Sequence, residues 1–350
     1  MFRVENVRLL SIIGSAPSNT EDNLNNPIFN DEVDANKYVN TVGVRYRRVS
    51  DEKTCTADLF EVAFKKQIEL LKWQIQDIGI IVVITQTPEY ISPLQGIILQ
   101  NRLGLEKSCL CVDVPLGCSG YIYGSFLIAS MMKLHGIKKG VLFAGDTLSK
   151  QASKKDRSTQ PLFSDAATVT AFELDETASE MLFDLGSDGE GFQSIMVKDG
   201  GYRNRFSEDS LTYVDKGNGI CLRGIDTQMI GMDVFSFAIS IAPMTINNLL
   251  TQYKKNINDI DYFVFHQANK FLNETIRKRL KLPIEKVPYS LHDYGNSASS
   301  TIPITILDKL ADDVSEKCLK MIFCGFGVGL SWGSMYIETE KIIVAPIILL

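Results

Sequence analysis

The run G-I-I-V-V-I-T-Q-T, residues 79–87, constrains this chain more than any other stretch. The unbroken β-branched residues Ile80 to Ile84 leave no polar face, so a strand built from them must be covered on both sides, as in a parallel sheet. Helical spacing flanks the run and supplies such cover. Apolar residues fall at 59, 60, 63, 64, 68 and 71 within 56–74, where Thr56 or Asp58 is placed to cap. Leu94 to Leu103 repeats that spacing and stops at Gly104, a C-cap residue. With 350 residues and 45% hydrophobic content the chain can bury a large core, and the expected class is α/β.

Residues 108–114 read as a strand that delivers the chain to Cys118, and 120–135 as a helix whose Gly120, Gly124, Ser125 and Ala129 allow close packing. Residues 140–147 and 166–174 read as further strands, whereas 175–231, rich in Gly, Asp and Ser, read as loops and hairpins joining two halves. Asp233 to Lys254 is helical in spacing, with Pro243 kinking it or starting a second helix. Next come a strand ending at His266, a helix over 270–280, a loop leading into a helix opened by Pro303, one long strand K-M-I-F-C-G-F-G-V-G-L-S-W-G, and a closing strand M-Y-I-E-T-E. The β-α-β order occurs twice, which predicts a pseudo-duplicated fold: halves 1–175 and 176–350 in one compact unit.

At the N-terminus Glu5 and Arg8 interrupt the apolar stretch, so Val4, Val7, Leu9 and Ile12 read as one first strand rather than a secretory signal. Residues 15–40 read as a polar loop with one short helix. The C-terminal I-I-V-A-P-I-I-L-L reads as a final strand or docked tail, and no apolar run reaches the ~18 residues of a membrane span. The formal charge of -6 argues against nucleic acid as the main partner. Seven scattered cysteines, without C-x-x-C spacing, suit a reducing cytoplasmic compartment and no metal site.

Cys118 stands where a helix begins, and a helix N-terminus favours thiolate; the plainer alternative is a small buried residue. Of the three histidines, His135 ends a helix and suits a cap contact, and His292 reads as a loop residue. His266 ends a strand and is open to either catalysis or structure. Cys with His is a recurring nucleophilic pair, and the order Cys, His, Asn is also that of papain-like proteases, whose local signatures are missing. The glycine-rich 325–333 suits either a bulge or a backbone N–H aimed at an oxyanion, and it lacks the G-K-[ST] ending of a phosphate loop. T-V-G-V-R-Y-R-R-V, 41–49, suits a substrate or subunit contact or a solvated hairpin.

D-V-x-x-x-C-x-G-x-x-Y, H-Q-A-N, Y-G-N-S-A-S-S-x-x-P and G-F-G-x-G-x-x-W-G, in that order, resemble ketoacyl-acyl-carrier-protein synthase III over nearly the whole chain, T-V-G-V-R and D-R-S-T included. The resemblance implies a thiolase-like fold in α-β-α-β-α layers. It implies that Cys118 takes an acyl group from a thioester, with its pKa lowered by the helix N-terminus and the backbone N–H groups of Cys118 and Val328 as oxyanion donors. His266 and Asn296 would bind the thioester carbonyl of a malonyl unit as carbon dioxide leaves. Arg157, Gln86, Ser92, Gly327 and Gly329 fall at substrate-binding positions.

The departures are specific. K-Y-V-N-T occupies 37–41, where the family has an adenine-stacking tryptophan, and the arginine after it is missing, whereas Arg157 matches the other half of that clamp. An acyl-carrier-protein donor therefore stands beside acyl-coenzyme A. Val328 replaces the central oxyanion glycine, which implies a narrower site or a shifted loop; Ser92 replaces a bulky residue that reaches the partner subunit's pocket, which implies room for a larger or more polar acyl group. Gln86 stands where hydroxymethylglutaryl-coenzyme A synthases have a catalytic glutamate, which argues against that reaction despite nearby Glu89. The expected function is decarboxylative condensation with malonyl-acyl-carrier protein, in fatty-acid initiation or a dedicated pathway. The alternatives are acyl transfer to an alcohol or amine of a metabolite or sugar, and a noncatalytic partner subunit. The family likeness also implies a homodimer with 79–114 near its two-fold axis, acyl-carrier protein as partner, and no bound cofactor.

Overall fold

The structure is a computed structural model that describes residues 1–350. In chain order the first part comprises β1 (Phe2–Val4), β2 (Val7–Ala16), β3 (Thr20–Asp22), α1 (Glu32–Val42), β4 (Tyr46–Arg48), α2 (Thr56–Leu71) and β5 (Ile78–Ile84). It continues with α3 (Gln95–Leu103), β6 (Leu110–Val114), α4 (Gly120–His135), β7 (Lys139–Thr147) and β8 (Asp165–Leu174). The second part has β9 (Met181–Ser187), β10 (Ile195–Val197), β11 (Val214–Gly217), β12 (Ile220–Leu222), β13 (Thr227–Met229), α5 (Gly231–Gln252), β14 (Tyr262–Phe265) and α6 (Lys270–Arg279). It ends with α7 (Leu291–Tyr294), α8 (Thr301–Lys309), α9 (Ala311–Glu316), β15 (Leu319–Gly327), β16 (Ser331–Thr339), β17 (Ile343–Val344) and β18 (Ile348–Leu349).

β5 is an interior strand, parallel to both β6 and β7, as its unbroken apolar run requires. The first sheet has the order β17-β2-β8-β7-β5-β6, and the second β1-β9-β16-β15-β14. Within them β2-β8-β7-β5 and β9-β16-β15-β14 share one pattern of antiparallel, antiparallel and parallel pairing, which is the duplication. Helices α2 and α3 cover the outer face of the first sheet, α5 and α6 that of the second, and α4 and α8 fill the space between. Close packing of α4 needs its small residues: a β-carbon at Gly124 would fall 2.6 Å from Leu142 and 2.9 Å from Ile84.

Several elements differ from expectation. The single first strand is two strands in different sheets, because Asn6 takes a left-handed φ of 63° between them and redirects the chain. β1 thus joins the second sheet, while β17 and β18 return from the C-terminus to pair with β2; both cross the division at 175/176. The 175–231 segment is not only connection, since β9 lies inside the second sheet between β1 and β16. The long glycine-rich strand is an antiparallel hairpin, β15 turning into β16 at Val328 to Leu330.

Helix α5 runs unbroken through Pro243. Proline cannot donate to the Ile239 carbonyl one turn back, and the Arg279 guanidinium donates to it instead at 2.8 Å. By length and composition α5 is also apolar enough to cross a membrane, whereas no such run was expected. Its Ala238, Ala242, Ile246 and Leu249 are buried against the second sheet.

Candidate active site

Cys118 follows β6 and immediately precedes α4. The β15–β16 hairpin closes over it, and glycine makes the approach possible. A β-carbon at Gly327 would lie 2.7 Å from the Cys118 sulfur, and one at Gly325 would lie 2.6 Å from the Cys118 carbonyl oxygen. Ser331 Oγ donates to the Val328 carbonyl at 2.7 Å and meets Ser119 Oγ at 2.7 Å, which ties the hairpin tip to the start of α4.

Burial pushes the Cys118 thiol up to about 11, and the Asp146 carboxylate adds to this against the pull of the Val328 and Cys118 backbone N–H groups. This corrects the lowered pKa expected from the helix N-terminus: removing the sulfur from water outweighs the backbone dipoles. The resting residue is a thiol, half-covered and facing a cavity, with two backbone N–H groups in reach of its sulfur.

His266 leaves the end of β14 with its backbone N–H bonded to the Cys324 carbonyl at 2.8 Å. Its Nδ1 lies 2.7 Å from Thr301 Oγ1, and the ring meets the edge of Phe326 at 5.9 Å between centroids. Burial lowers its pKa to about 3 against an opposing contact with the Ala298 backbone, so the imidazole is neutral. Asn296 is held through its main chain, bonded to Leu162 O and from Ser164 N at 3.0 Å each. Its side-chain oxygen accepts from Ala298 N at 3.0 Å, while its Nδ2 has only a long 3.5 Å contact to Ala268 O. The amide therefore keeps N–H capacity for a ligand.

Cys118, His266, Asn296, Gln86, Gly327 and Val328 line one cavity. Of its 23 lining residues 15 are hydrophobic, which suits a flexible thioester arm more than a charged ligand. β10 and β13, paired with each other, supply Ile195, Met196, Val197, Thr227 and Met229 to its wall. The segment expected to be a connection thus builds part of the site.

Other expected residues lie elsewhere. Arg157 is paired with Asp34 and stacks over Phe29 at 5.5 Å, outside the cavity lining. Ser92 is exposed on the loop before α3, and Gly329 sits in the hairpin turn; neither lines the cavity. Glu89 is bound to Arg102 at 3.0 Å and also stays outside. Arg47 of the 41–49 stretch is buried, donating to the Phe163 carbonyl at 2.8 Å and pairing with Glu21 at 2.6 Å, which is a structural role. His135 is exposed at the end of α4, and His292 bonds Asp293 at 2.8 Å on the surface.

Two residues unmarked by the sequence stand behind the site. Asp146, at the end of β7, accepts from Gln86 N at 2.6 Å and from Ser299 Oγ at 2.8 Å, so one carboxylate joins the two halves beside Cys118. Burial pushes it up to about 7 against these donors. A lone aspartate ending the apolar run G-V-L-F-A-G was the available signal. Thr301, five residues after Asn296, carried none.

The chain is similar to known proteins over most of its length. Residues 112–189 match the family model of 3-oxoacyl-[acyl-carrier-protein] synthase III, and 250–339 match that of its C-terminal part. The chain is 31% identical over 298 residues to β-ketoacyl-[acyl-carrier-protein] synthase III of Fusobacterium nucleatum, covering 85% of this chain and 88% of that protein. It is 30% identical over 346 residues to the synthase III of Lactobacillus helveticus, covering 96% and 100%. The crystal structure of a 3-oxoacyl-(acyl-carrier protein) synthase from Burkholderia xenovorans superposes with a TM-score of 0.93 at 31% identity, over 100% of this chain and 98% of that one. Alike in sequence along its length and in fold, the chain belongs to the 3-oxoacyl-[acyl-carrier-protein] synthase III family.

Proposed function

We propose that the protein is a decarboxylating condensing enzyme that carries its acyl group on Cys118. One observation carries the reading: a thiol with two backbone donors, a neutral buried imidazole and an amide with spare N–H capacity share one mostly apolar cavity. The thiolate of Cys118 attacks an acyl thioester. The tetrahedral oxyanion is held by the N–H groups of Cys118 and Val328, and the donor's thiolate leaves and takes up the proton that Cys118 lost. A malonyl thioester then places its carbonyl against His266 and Asn296, carbon dioxide leaves, and the electron pair passes to the enolate oxygen. The enolate carbon attacks the acyl group on Cys118, whose sulfur is expelled, giving a 3-oxoacyl thioester. Neutral donors suit this step, because they stabilise the enolate oxygen without protonating the carbon nucleophile.

The donor is an acyl-carrier protein in this reading. Arg157 is engaged by Asp34, and Tyr38 packs on Phe29 at 4.9 Å, so neither lies open to stack an adenine. The matched relatives are named as synthases, which favours condensation over transfer to an alcohol or amine. We place the protein in the reducing cytoplasm, which suits its free cysteines. We further place a second copy against β6, an edge strand of the first sheet, beside exposed Tyr90, Ile91, Leu94, Ile97 and Leu110. Sedimentation of Leu110→Asp as a monomer, with wild type a dimer, is the expected result; a monomeric wild type overturns the dimer.

The main test is intact-mass analysis after incubation with acyl-carrier protein, followed by malonyl-carrier protein. An adduct absent from Cys118→Ala, then consumed to a 3-oxoacyl product, is expected. A stable adduct that condenses with no malonyl donor overturns the proposal.

A further inference from the structure

We propose that Thr301 is a positioning residue that sets the tautomer of His266, its hydroxyl donating to Nδ1 so that Nε2 presents an N–H to the thioester carbonyl. This rests on the condensing reading above for its catalytic consequence. The ring is neutral and carries one proton, and which nitrogen holds it decides the chemistry. A developing enolate oxygen needs a donor. With the proton on Nδ1, Nε2 would offer a lone pair to that oxygen and repel it.

Thr301 Oγ1 has one proton and two neighbours, His266 Nδ1 at 2.7 Å and the Ala298 carbonyl at 2.9 Å. Donation to Ala298 would force Nδ1 to supply the proton of the His266–Thr301 bond and leave Nε2 bare. Donation to Nδ1 does the reverse. The Ala298 carbonyl already accepts from the Thr301 backbone N–H, so it stays hydrogen-bonded when the hydroxyl proton turns to the ring. Both side chains are 1% exposed, which leaves water little room to replace the hydroxyl. The polar groups behind it are committed. Thr305 Oγ1 donates to Thr301 O at 2.8 Å, Ser290 Oγ meets Thr305 Oγ1 at 2.7 Å, and Ser290 N donates to Gln267 Oε1 at 3.2 Å. This network anchors the start of α8 near the end of β14 and fixes Oγ1 relative to the imidazole.

Nitrogen-15 NMR of labelled histidine in the resting protein tests the assignment directly. The chain has only three histidines, and His266→Gln identifies the signal. Wild type is expected to show a pyridine-type Nδ1 and a pyrrole-type Nε2; the opposite pattern overturns the proposal. Thr301→Val keeps the shape but lacks the donor, so the Ala298 carbonyl draws the proton to Nδ1. Decarboxylation of the malonyl donor is then expected to fall about 100-fold, the scale of losing one oxyanion donor, while Cys118 acylation is retained. Thr301→Ser should restore both tautomer and rate. An unchanged tautomer in Thr301→Val, or acylation slowed as much as decarboxylation, would mean a merely structural role and overturn the proposal. If wild type never acylates or decarboxylates, the condensing reading fails, and the tautomer of the resting protein is still read by NMR.

Discussion

Gly327 and Cys118 are so close that a β-carbon on the first would stand 2.7 Å from the sulfur of the second. An alanine there must push the hairpin tip away and with it the Val328 N–H that faces the sulfur. Gly327→Ala is expected to slow acylation about 100-fold, the scale of displacing a reacting group by ~1 Å, while the fold persists. Adduct formation over time, followed by intact mass alongside circular dichroism, checks this. Acylation at the wild-type rate would show that the tip does not hold the oxyanion.

The Cys118 thiol is held up at about 11, chiefly by burial and further by the Asp146 charge. Raising the pH increases the thiolate fraction, so alkylation of Cys118 by iodoacetamide should climb through pH 8 to 10 without levelling. In Asp146→Asn the negative charge is gone, and the same profile should shift to lower pH. A wild-type plateau near pH 7 would contradict the burial argument.

His266 has the opposite sense of shift, from 6.5 down to about 3. Below pH 6.5 the unfolded chain protonates this histidine while the native protein does not. Stability from this group is therefore full above 6.5 and is lost as pH falls toward 3, at about 1.4 kcal/mol per pH unit. The slope of unfolding free energy against pH in that window should be shallower in His266→Gln by about that amount. Urea titrations at several pH values measure it, and parallel slopes would refute the assignment.

Arg279 and Pro243 are coupled through the Ile239 carbonyl. Arg279→Ala leaves that oxygen without its donor and should cost about 1 kcal/mol. In a Pro243→Ala background the helix can supply its own N–H, so the same Arg279 change should cost much less. A double-mutant cycle by denaturant unfolding reads the coupling, and additive effects would exclude it.

Periodicity made much of the fold legible, because burial on one or both faces writes itself into neighbouring residues. Residues 120–135 were expected as a helix and form α4 with those bounds; the β-branched run became β5 between two parallel neighbours. β9 was hidden because its seven residues lie in Gly- and Asp-rich surroundings, and only pairing with β1 and β16 makes it a core strand. The first two strands look like one in sequence because a single left-handed residue, Asn6, carries no periodic signal.

The same division runs through the site. Cys118, His266 and Asn296 each stand in a distinctive local motif, so they are candidates from sequence alone. Their protonation states and surroundings come from the fold. The Cys118 pKa rises because the folded chain removes water from around sulfur, a quantity no local pattern encodes. Ser92 and Arg157 were named by position yet do not line the cavity, while the β10 and β13 pair, unremarked in sequence, does. Thr301 reaches His266 across 35 residues of chain, because the folding of α8 onto the second sheet brings a hydroxyl to 2.7 Å from the ring. Such contacts are set by packing between elements, and packing has no period along the chain.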